Sequence, residues 1–448
     1  MKKTSSGYVH SPSDLITFMQ SPFASYMDHF HLEFPEQAVP DEASEQDTLI
    51  MRKGIEHEEE FLKTLEADGR DVCRIEQGPQ AQAATREAIE AEREVIYQAA
   101  LTRDGFAGFA DFLVRDPATG LYEVWDTKLS KKARPYFLVQ LCAYADMLEA
   151  IQGRRPHRVR VVLGSGETRA FRTDDSFFYY RRLREEYLRQ FAAFDPKNRP
   201  FPNPGANHGR WASHAEAYLE EIDHLCRVAN IRQSQIKKLE AAGITTLSAL
   251  AETEATRVPR LDDGIFSALK EQAALQLSSA GLDRPEYRIL DQDPEDQRRG
   301  LACLPPPSRL DVYFDMEGYP LVDGGLEYLF GACYRDNGEI RFKDWWAFDR
   351  ESEKQAFESF IDWIVERRIQ DPTMRVYHYA PYEVTAVRRL MGRYATREDE
   401  VDNLLRGEVF VDLYRTVCEG LRIGEPAYSI KNVEHLYLGR REGAVTDA

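Results

Sequence analysis

The chain has 448 residues, 43% of them hydrophobic and 11% aromatic, so several folded domains with separate cores are expected. No run of about 18 apolar residues marks a membrane span, and the opening MKKTSSGYVHSPSDL has no apolar stretch of secretory type after its two lysines, so a cytoplasmic protein with no membrane partner is expected. The formal net charge of −18 opposes nonspecific attraction of the whole molecule to polyanions, leaving a local basic groove as the route to a nucleic acid.

From the N-terminus, SPSDLITFMQSPFASYMDHF (11–30) reads as a helix opened by Ser11 and Pro12, and 52–67 and 80–100 carry further helical patterns. The period then changes. GFAGFADFLVR, the turn DPATG and LYEVWDTKL read as a β-hairpin over 105–129, followed by an amphipathic helix from Arg134. A strand pair within 154–173 and a helix over 176–194 complete an α/β domain assigned to 1–200, where FPNPGAN breaks the pattern.

Residues 201–280 read as a helical connector, in which LEAAGITTLSAL and VPRLDDGIFSAL form two short helix-turn-helix units. Their Gly243 and Gly264 resemble the turns of helix-hairpin-helix modules, whose amides can meet phosphates, although short helical connectors with a glycine turn are common. A charged, proline-rich linker occupies 281–307. From 308 to 448 three consecutive strands (RLDVYFDMEGY, EYLFGACYRD, IRFKDWWAFD), a helix over 351–369, a strand RVYHYA and a helix near Pro381 suit an RNase H-like α/β layer. That domain is expected to be incomplete at 448.

The hairpin carries chemistry. With its turn near Ala118 and no bulge, Asp111 falls opposite Asp126, so Asp111, Asp126 and Lys128 share one face of the ladder. Opposed carboxylates repel and call for a cation or a shared proton, and Mg²⁺ or Mn²⁺, which favour oxygen ligands, suit them. Lys128 is placed to orient an attacking water or to stabilise phosphate charge. The following helix sets Tyr136, Gln140 and Tyr144 on one stripe, while the exposed-type loop Lys131, Lys132, Arg134 suits a phosphate backbone. His57 lies on a helix among acids. Singly, each of these features is ordinary surface decoration; their order along the chain is the specific signal.

That order resembles the RecB-like branch of PD-(D/E)xK nucleases: Gly54-x-x-His57, GFAD ending in Asp111, Asp126-Thr127-Lys128, and Gln140-x-x-x-Tyr144, over about 11–195. The resemblance implies a restriction-endonuclease-like core in which His57, Asp111 and Asp126 bind metal, Lys128 serves catalysis, and Gln140 and Tyr144 contact substrate or support the site. Many such relatives hold an iron–sulfur cluster on four cysteines. Here Ser21 stands at the early position and no cysteine precedes Cys226 in the later region, so no iron–sulfur cluster is expected. The six cysteines form no CxxC pair, and His208 with His214 makes a weak zinc case.

In RLDVYFDMEGY, Asp315 and Glu317 point to one side of a strand. With VYHYAPYEVTAVRRL, VFVDLYRTV and SIKNVEHLYLG this part resembles the RNase H-like exonuclease domain that follows RecB-like cores in large bacterial putative nuclease-helicases. The resemblance implies Asp315, Glu317, Glu383 and Asp412 as metal ligands, with Glu383 replacing the more usual aspartate and Asp447 a poor candidate for a last acid. No GxxxxGK[ST] pattern is present. The combined expectation is a metal-dependent nuclease acting on single-stranded DNA or duplex ends in repair, recombination or defence, with a helicase as partner. The rival expectations are a noncatalytic nucleic-acid-binding subunit of a helicase-nuclease assembly and a protein-interaction scaffold.

Overall fold

The computed structural model describes residues 1–439 except 6, 292–294, 296, 297 and 323. The chain divides into two units, Met1–Leu219 and Glu220–Ala448. In chain order the first contains β1 (Lys2–Thr4), β2 (Gly7–Val9), α1 (Pro12–Gln20), α2 (Pro22–Glu33), α3 (Glu45–Ala67), β3 (Val72–Arg74), α4 (Ala81–Glu90), β4 (Val95–Arg103), β5 (Phe106–Arg115), β6 (Tyr122–Lys128), α5 (Pro135–Gln152), β7 (Arg158–Leu163), β8 (Thr168–Arg172) and α6 (Thr173–Ala192); α7 (Ala212–Glu221) follows.

Two segments differ from the sequence reading. Residues 11–30 form two helices, because Ser21, preceding Pro22, takes φ −153° and ψ 101°, outside the helical region that a following proline disfavours. Residues 80–100 are not one helix: α4 ends at Glu90, and Val95–Arg103 is a strand. Its VIY run suits a strand, and its pairing with β5 decides the matter where local helical pattern did not.

Strands β3 to β8 form one sheet in that order; β3–β4 and β6–β7 are parallel, the other pairs antiparallel. Alternation sends side chains to two cores. Ile96, Leu113 and Val124 join Leu15 of α1 and Phe137, Leu141 and Leu148 of α5, whereas Val95, Phe112 and Val114 meet Leu62 and Leu65 of α3. The central strands are therefore covered on both faces, which explains their nearly continuous apolar sequence.

Ser21 also ties the N-terminal helices to a later loop. Its hydroxyl accepts from the Ala24 amide (2.9 Å) and lies 2.8 Å from His208 Nδ1, while His208 Nε2 is 3.1 Å from the Asn203 carbonyl. His214 Nε2 lies 2.8 Å from the Val39 carbonyl, and Asp28 accepts from the indole of fully buried Trp211 (2.8 Å). His208 and His214 thus each engage backbone carbonyls rather than one another's ligand sphere.

The second unit contains α8 (Gln233–Ala241), α9 (Leu247–Glu252), α10 (Asp263–Ser279), β9 (Tyr287–Ile289), β10 (Val312–Tyr319), β11 (Leu326–Asp336), β12 (Glu339–Trp346), α11 (Arg350–Gln370), β13 (Val376–His378), α12 (Tyr382–Tyr394), α13 (Glu398–Arg406), β14 (Phe410–Asp412), α14 (Leu413–Gly420), β15 (Leu421–Ile423) and α15 (Ile430–Val433). Between α8 and α9, Gly243 adopts φ 84°, a left-handed turn that suits glycine. Gly264 departs from its expected place in a turn: Asp262 caps α10 by accepting from the Ile265 amide, so Gly264 lies inside the first helical turn. Residues 287–289, within the stretch read as linker, pair with β15.

The main sheet of this unit runs β12-β11-β10-β13-β14, an antiparallel meander extended by two parallel strands. Val312, Phe314 and Met316 of β10 face the core with Phe357, Phe360 and Ile364 of α11, which leaves Tyr313, Asp315 and Glu317 on the other face. Asp349 opens α11 by accepting from the Ser352 amide, and Arg367 and Arg368 lie in its last turn, where cations complement the helix dipole. Among the described residues no helix is long and apolar enough to cross a membrane.

Candidate active site

The β5–β6 ladder pairs Phe112 with Trp125, and one further step sets Asp111 opposite Asp126. The ladder stops before that step. Asp111 Oδ2 instead accepts from the Thr127 amide (2.8 Å) and hydroxyl (2.9 Å). On its other side β5 also lacks a ladder pair at Asp111, where Gln98 of β4 adopts φ 55°. Asp111 therefore sits where regular pairing ceases on both flanks, while β6 continues beside β7 through Asp126↔Val161 and Lys128↔Leu163.

Asp126 is 1% exposed, and the Lys128 ammonium lies 2.5 Å from its Oδ2. Gln140 of α5 donates from Nε2 to Asp126 Oδ1 at 3.3 Å. Tyr144, one turn further, is 6% exposed and packs close over Gly108, where an added Cβ would lie 3.0 Å from its ring. Burial first, then the charges of Asp126 and Asp111, push the Tyr144 hydroxyl above its ordinary value. Tyr136 is partly buried on the same helix, and Lys131, Lys132 and Arg134 are exposed in the β6–α5 loop.

A carboxylate absent from the sequence reading also enters. Glu58 of α3 accepts from Gln98 Nε2 at 2.5 Å, and burial, followed by the charge of Asp111, raises its carboxyl above the usual range. The neighbouring His57 has a buried Nε2 with no hydrogen-bond partner among the described residues. The available signal was the acidic run EHEEE around His57, which local pattern alone does not resolve into the one carboxylate that turns to the site.

Burial and then the Asp111 carboxylate push the Asp126 carboxyl up to about 7, against the opposing pull of Lys128. Burial would lower the Lys128 ammonium, but Asp126, Asp111 and Glu58 together outweigh it and hold it above its ordinary value. Three acids thus share one ammonium. The excess of oxygen donors and negative charge fits a hard divalent cation in donor type. Among the described residues, however, no group of three or more His, Cys, Asp or Glu side chains stands ready to hold a metal ion.

In the second unit, Asp315 and Glu317 share the open face of β10, and the register with β11 shifts between Glu317 and Gly318. Burial, partly offset by the Met316 amide on Asp315 Oδ1 (3.0 Å), and then the charges of Glu383 and Glu317 raise the Asp315 carboxyl. Glu383, on α12, is 3% exposed, with Oε2 3.4 Å from His378 Nδ1; that nitrogen also lies 2.7 Å from the Ala380 carbonyl. Burial opposes protonation of His378, but Glu383, the Ala380 carbonyl and Asp412 raise it overall.

Asp412 lies beside His378 in the β13–β14 register, and its Oδ1 accepts from the Ala380 (3.0 Å) and Tyr414 (2.9 Å) amides. One oxygen of Asp412 is thus engaged in capping α14. Asp447 lies outside the described residues.

No curated protein matches the chain. A family model of the RNase H superfamily matches residues 312–448, the stretch that contains Asp315, Glu317, Glu383 and Asp412. The C-terminal part of this chain is accordingly an RNase H-like domain within a mixed α/β protein, of a kind that suggests nuclease-type activity on nucleic acid and general use of divalent metals.

Proposed function

We propose that the chain is a metal-dependent nuclease that hydrolyses DNA phosphodiester bonds, with a restriction-endonuclease-like, RecB-like PD-(D/E)xK core in its first unit and an RNase H-like domain in its second. The observation that carries this reading is the convergence of Asp111, Asp126, Lys128 and Gln140 at the rim where β5 and β6 part.

Asp111 and Asp126, together with His57 of α3 and with Glu58 adding negative charge, would hold Mg²⁺ or Mn²⁺, which supplies Lewis acidity and lowers the pKa of water. Thr127 fixes the Asp111 carboxylate through two hydrogen bonds, and Gln140 fixes that of Asp126. Lys128 orients the attacking water and offsets charge developing on the phosphate. Tyr144 supports the packing beneath Asp111 and Asp126. Lys131, Lys132 and Arg134 hold the phosphate backbone at the mouth of the site. Asp315, Glu317, Glu383 and Asp412 would hold a second divalent metal. We assign the domains to 1–200, 201–280, 281–307 and 308–448, and place the protein in the cytoplasm in DNA repair, recombination or defence, beside a partner helicase.

A second reading has its own observation: one oxygen of Asp412 is engaged by backbone amides, which favours a C-terminal domain that binds nucleic acid without cutting it. Purified protein incubated with Mn²⁺ or Mg²⁺ and labelled single- and double-stranded DNA decides between them. Cleavage lost in Asp126→Ala and retained in Asp315→Ala supports the leading reading. Cleavage that survives Asp126→Ala and disappears in Asp315→Ala moves the chemistry to the second unit. A gel shift without cleavage supports a noncatalytic binding subunit.

A further inference from the structure

A cavity of about 430 Å³ opens beside Asp412, between β14, α12 and α14. Four arginines line it, Arg298, Arg375, Arg388 and Arg415, against two acids, Glu408 and Asp412. Such a basic concentration stands out in a chain of net charge −18, whose overall field repels polyanions.

The hydrogen-bonding state of these groups matters more than their number. Arg388, on the exposed side of α12, makes no hydrogen bond or ion pair with any described residue, which leaves its guanidinium donors open to a ligand. Arg415 pairs with Glu419 only through Nε (3.2 Å), as an exposed pair one helical turn apart. Arg375 is anchored by Nη1 to the Thr373 (2.7 Å) and Met374 (3.0 Å) carbonyls, which orients its guanidinium without cancelling its charge. Burial and then the charge of Arg375 hold the neighbouring Arg368 below its ordinary value, in keeping with a crowd of cations at this edge.

The cavity reaches the edge of the acid cluster through Asp412. Asp412 lines it and stands in register with His378, which in turn lies against Glu383. A guanidinium fork is matched in shape and charge to phosphate oxygens. We propose that this arginine-lined cavity binds a phosphate of the nucleic-acid strand that the RNase H-like domain engages, with Arg388 and Arg415 as the phosphate-contacting residues. The inference rests on the nucleic-acid reading of that domain but not on catalysis by either acid site.

The test is fluorescence anisotropy of the full chain in EDTA, titrated into a 3′-labelled single-stranded oligonucleotide carrying either a 5′-hydroxyl or a 5′-phosphate, over a series of salt concentrations. Arg388→Gln combined with Arg415→Gln is expected to weaken binding at least about tenfold and to reduce the slope of log affinity against log salt by about 1 to 2. Arg406→Gln, which removes an exposed charge on α13 outside the cavity, is the control and is expected to bind as wild type.

Equal weakening with both probes assigns an internal phosphodiester; weakening confined to the 5′-phosphorylated probe assigns the terminal monoester, and either supports the proposal. Unchanged affinity and slope in the double variant overturn it, as does a wild-type chain that binds neither probe. Circular dichroism of the double variant checks that the fold is intact. A wild-type chain that never cuts DNA but loses binding with Arg388 and Arg415 refutes the nuclease reading and leaves this one standing.

Discussion

The Lys128 ammonium lies 2.5 Å from the carboxylate of Asp126, two residues back on the same strand, and both face a site that also holds Asp111 and Glu58. One cation thus offsets three acids. Replacing Lys128 with Ala removes the fixed positive charge proposed to act on the phosphate, and kcat for DNA cleavage is expected to fall on the order of 10²–10³-fold. Lys128→Arg, which keeps the charge in a different shape, should retain more activity than Lys128→Ala. Single-turnover cleavage assays of the two variants check this.

Asp126 makes stability depend on pH in a definite direction. Burial and the Asp111 charge push its carboxyl up to about 7 from the ordinary 3.8, so the folded state binds more protons between those values. Stability then decreases as pH rises from about 4 to about 7, and this contribution is flat beyond that window. In Asp126→Asn that decline is expected to shrink. Urea midpoints measured in EDTA at pH 5 and pH 8 for both proteins give the comparison.

Glu58 adds negative charge from α3 to the carboxylates of β5 and β6. Glu58→Gln should lower the Asp126 carboxyl toward the ordinary range and weaken Mn²⁺ affinity by about 10–100-fold, the scale of losses seen for groups supporting a metal site. Metal titration by calorimetry measures the second effect directly. An unchanged affinity would exclude Glu58 from the site.

Gly164 lies just after β7, where a Cβ would come 2.8 Å from the carbonyl carbon of Leu129, the residue following Lys128. Backbone cannot yield as a flexible side chain can. Gly164→Ala is therefore expected to cost about 1–3 kcal/mol of stability and to reduce cleavage by displacing the end of β6. Denaturant unfolding and the cleavage assay report the two consequences separately.

Glu353 is fully buried, accepts from Arg350 (3.0 Å) and Arg393 (2.8 Å), and receives the Glu327 amide (2.6 Å). Removing it takes a buried carboxylate away from two guanidinium groups, the Tyr394 hydroxyl and the Glu327 amide. Glu353→Ala is expected to destabilise the chain by about 3–5 kcal/mol, visible as a loss of the unfolding midpoint, with Glu353→Gln intermediate.

Much of the site was legible from local spacing. The two-residue separation of Asp126 and Lys128 suffices to put them on one side of β6, because side chains alternate along any strand, whereas the end of the ladder at Phe112↔Trp125 and the capture of Asp111 by Thr127 do not follow from spacing. The same rule separates Asp315 and Glu317 from the apolar Phe314 and Met316. Helical spacing likewise brings Gln140 to Asp126 once α5 packs on the sheet. Residues 95–100 carry a helical pattern yet form part of a strand, because their own pattern is ambiguous and their pairing partner, β5, lies outside any local window.

Which residues share a face is written locally, in the repeat of strand or helix over a few neighbouring positions. Which faces meet came from the packing of whole elements: Glu58 turns toward Gln98 and Asp111, one Asp412 oxygen is held by amides, and arginines at 298, 375, 388 and 415 line one cavity. These contacts join segments far apart in the chain, so their geometry does not follow from the preferences of the residues between them.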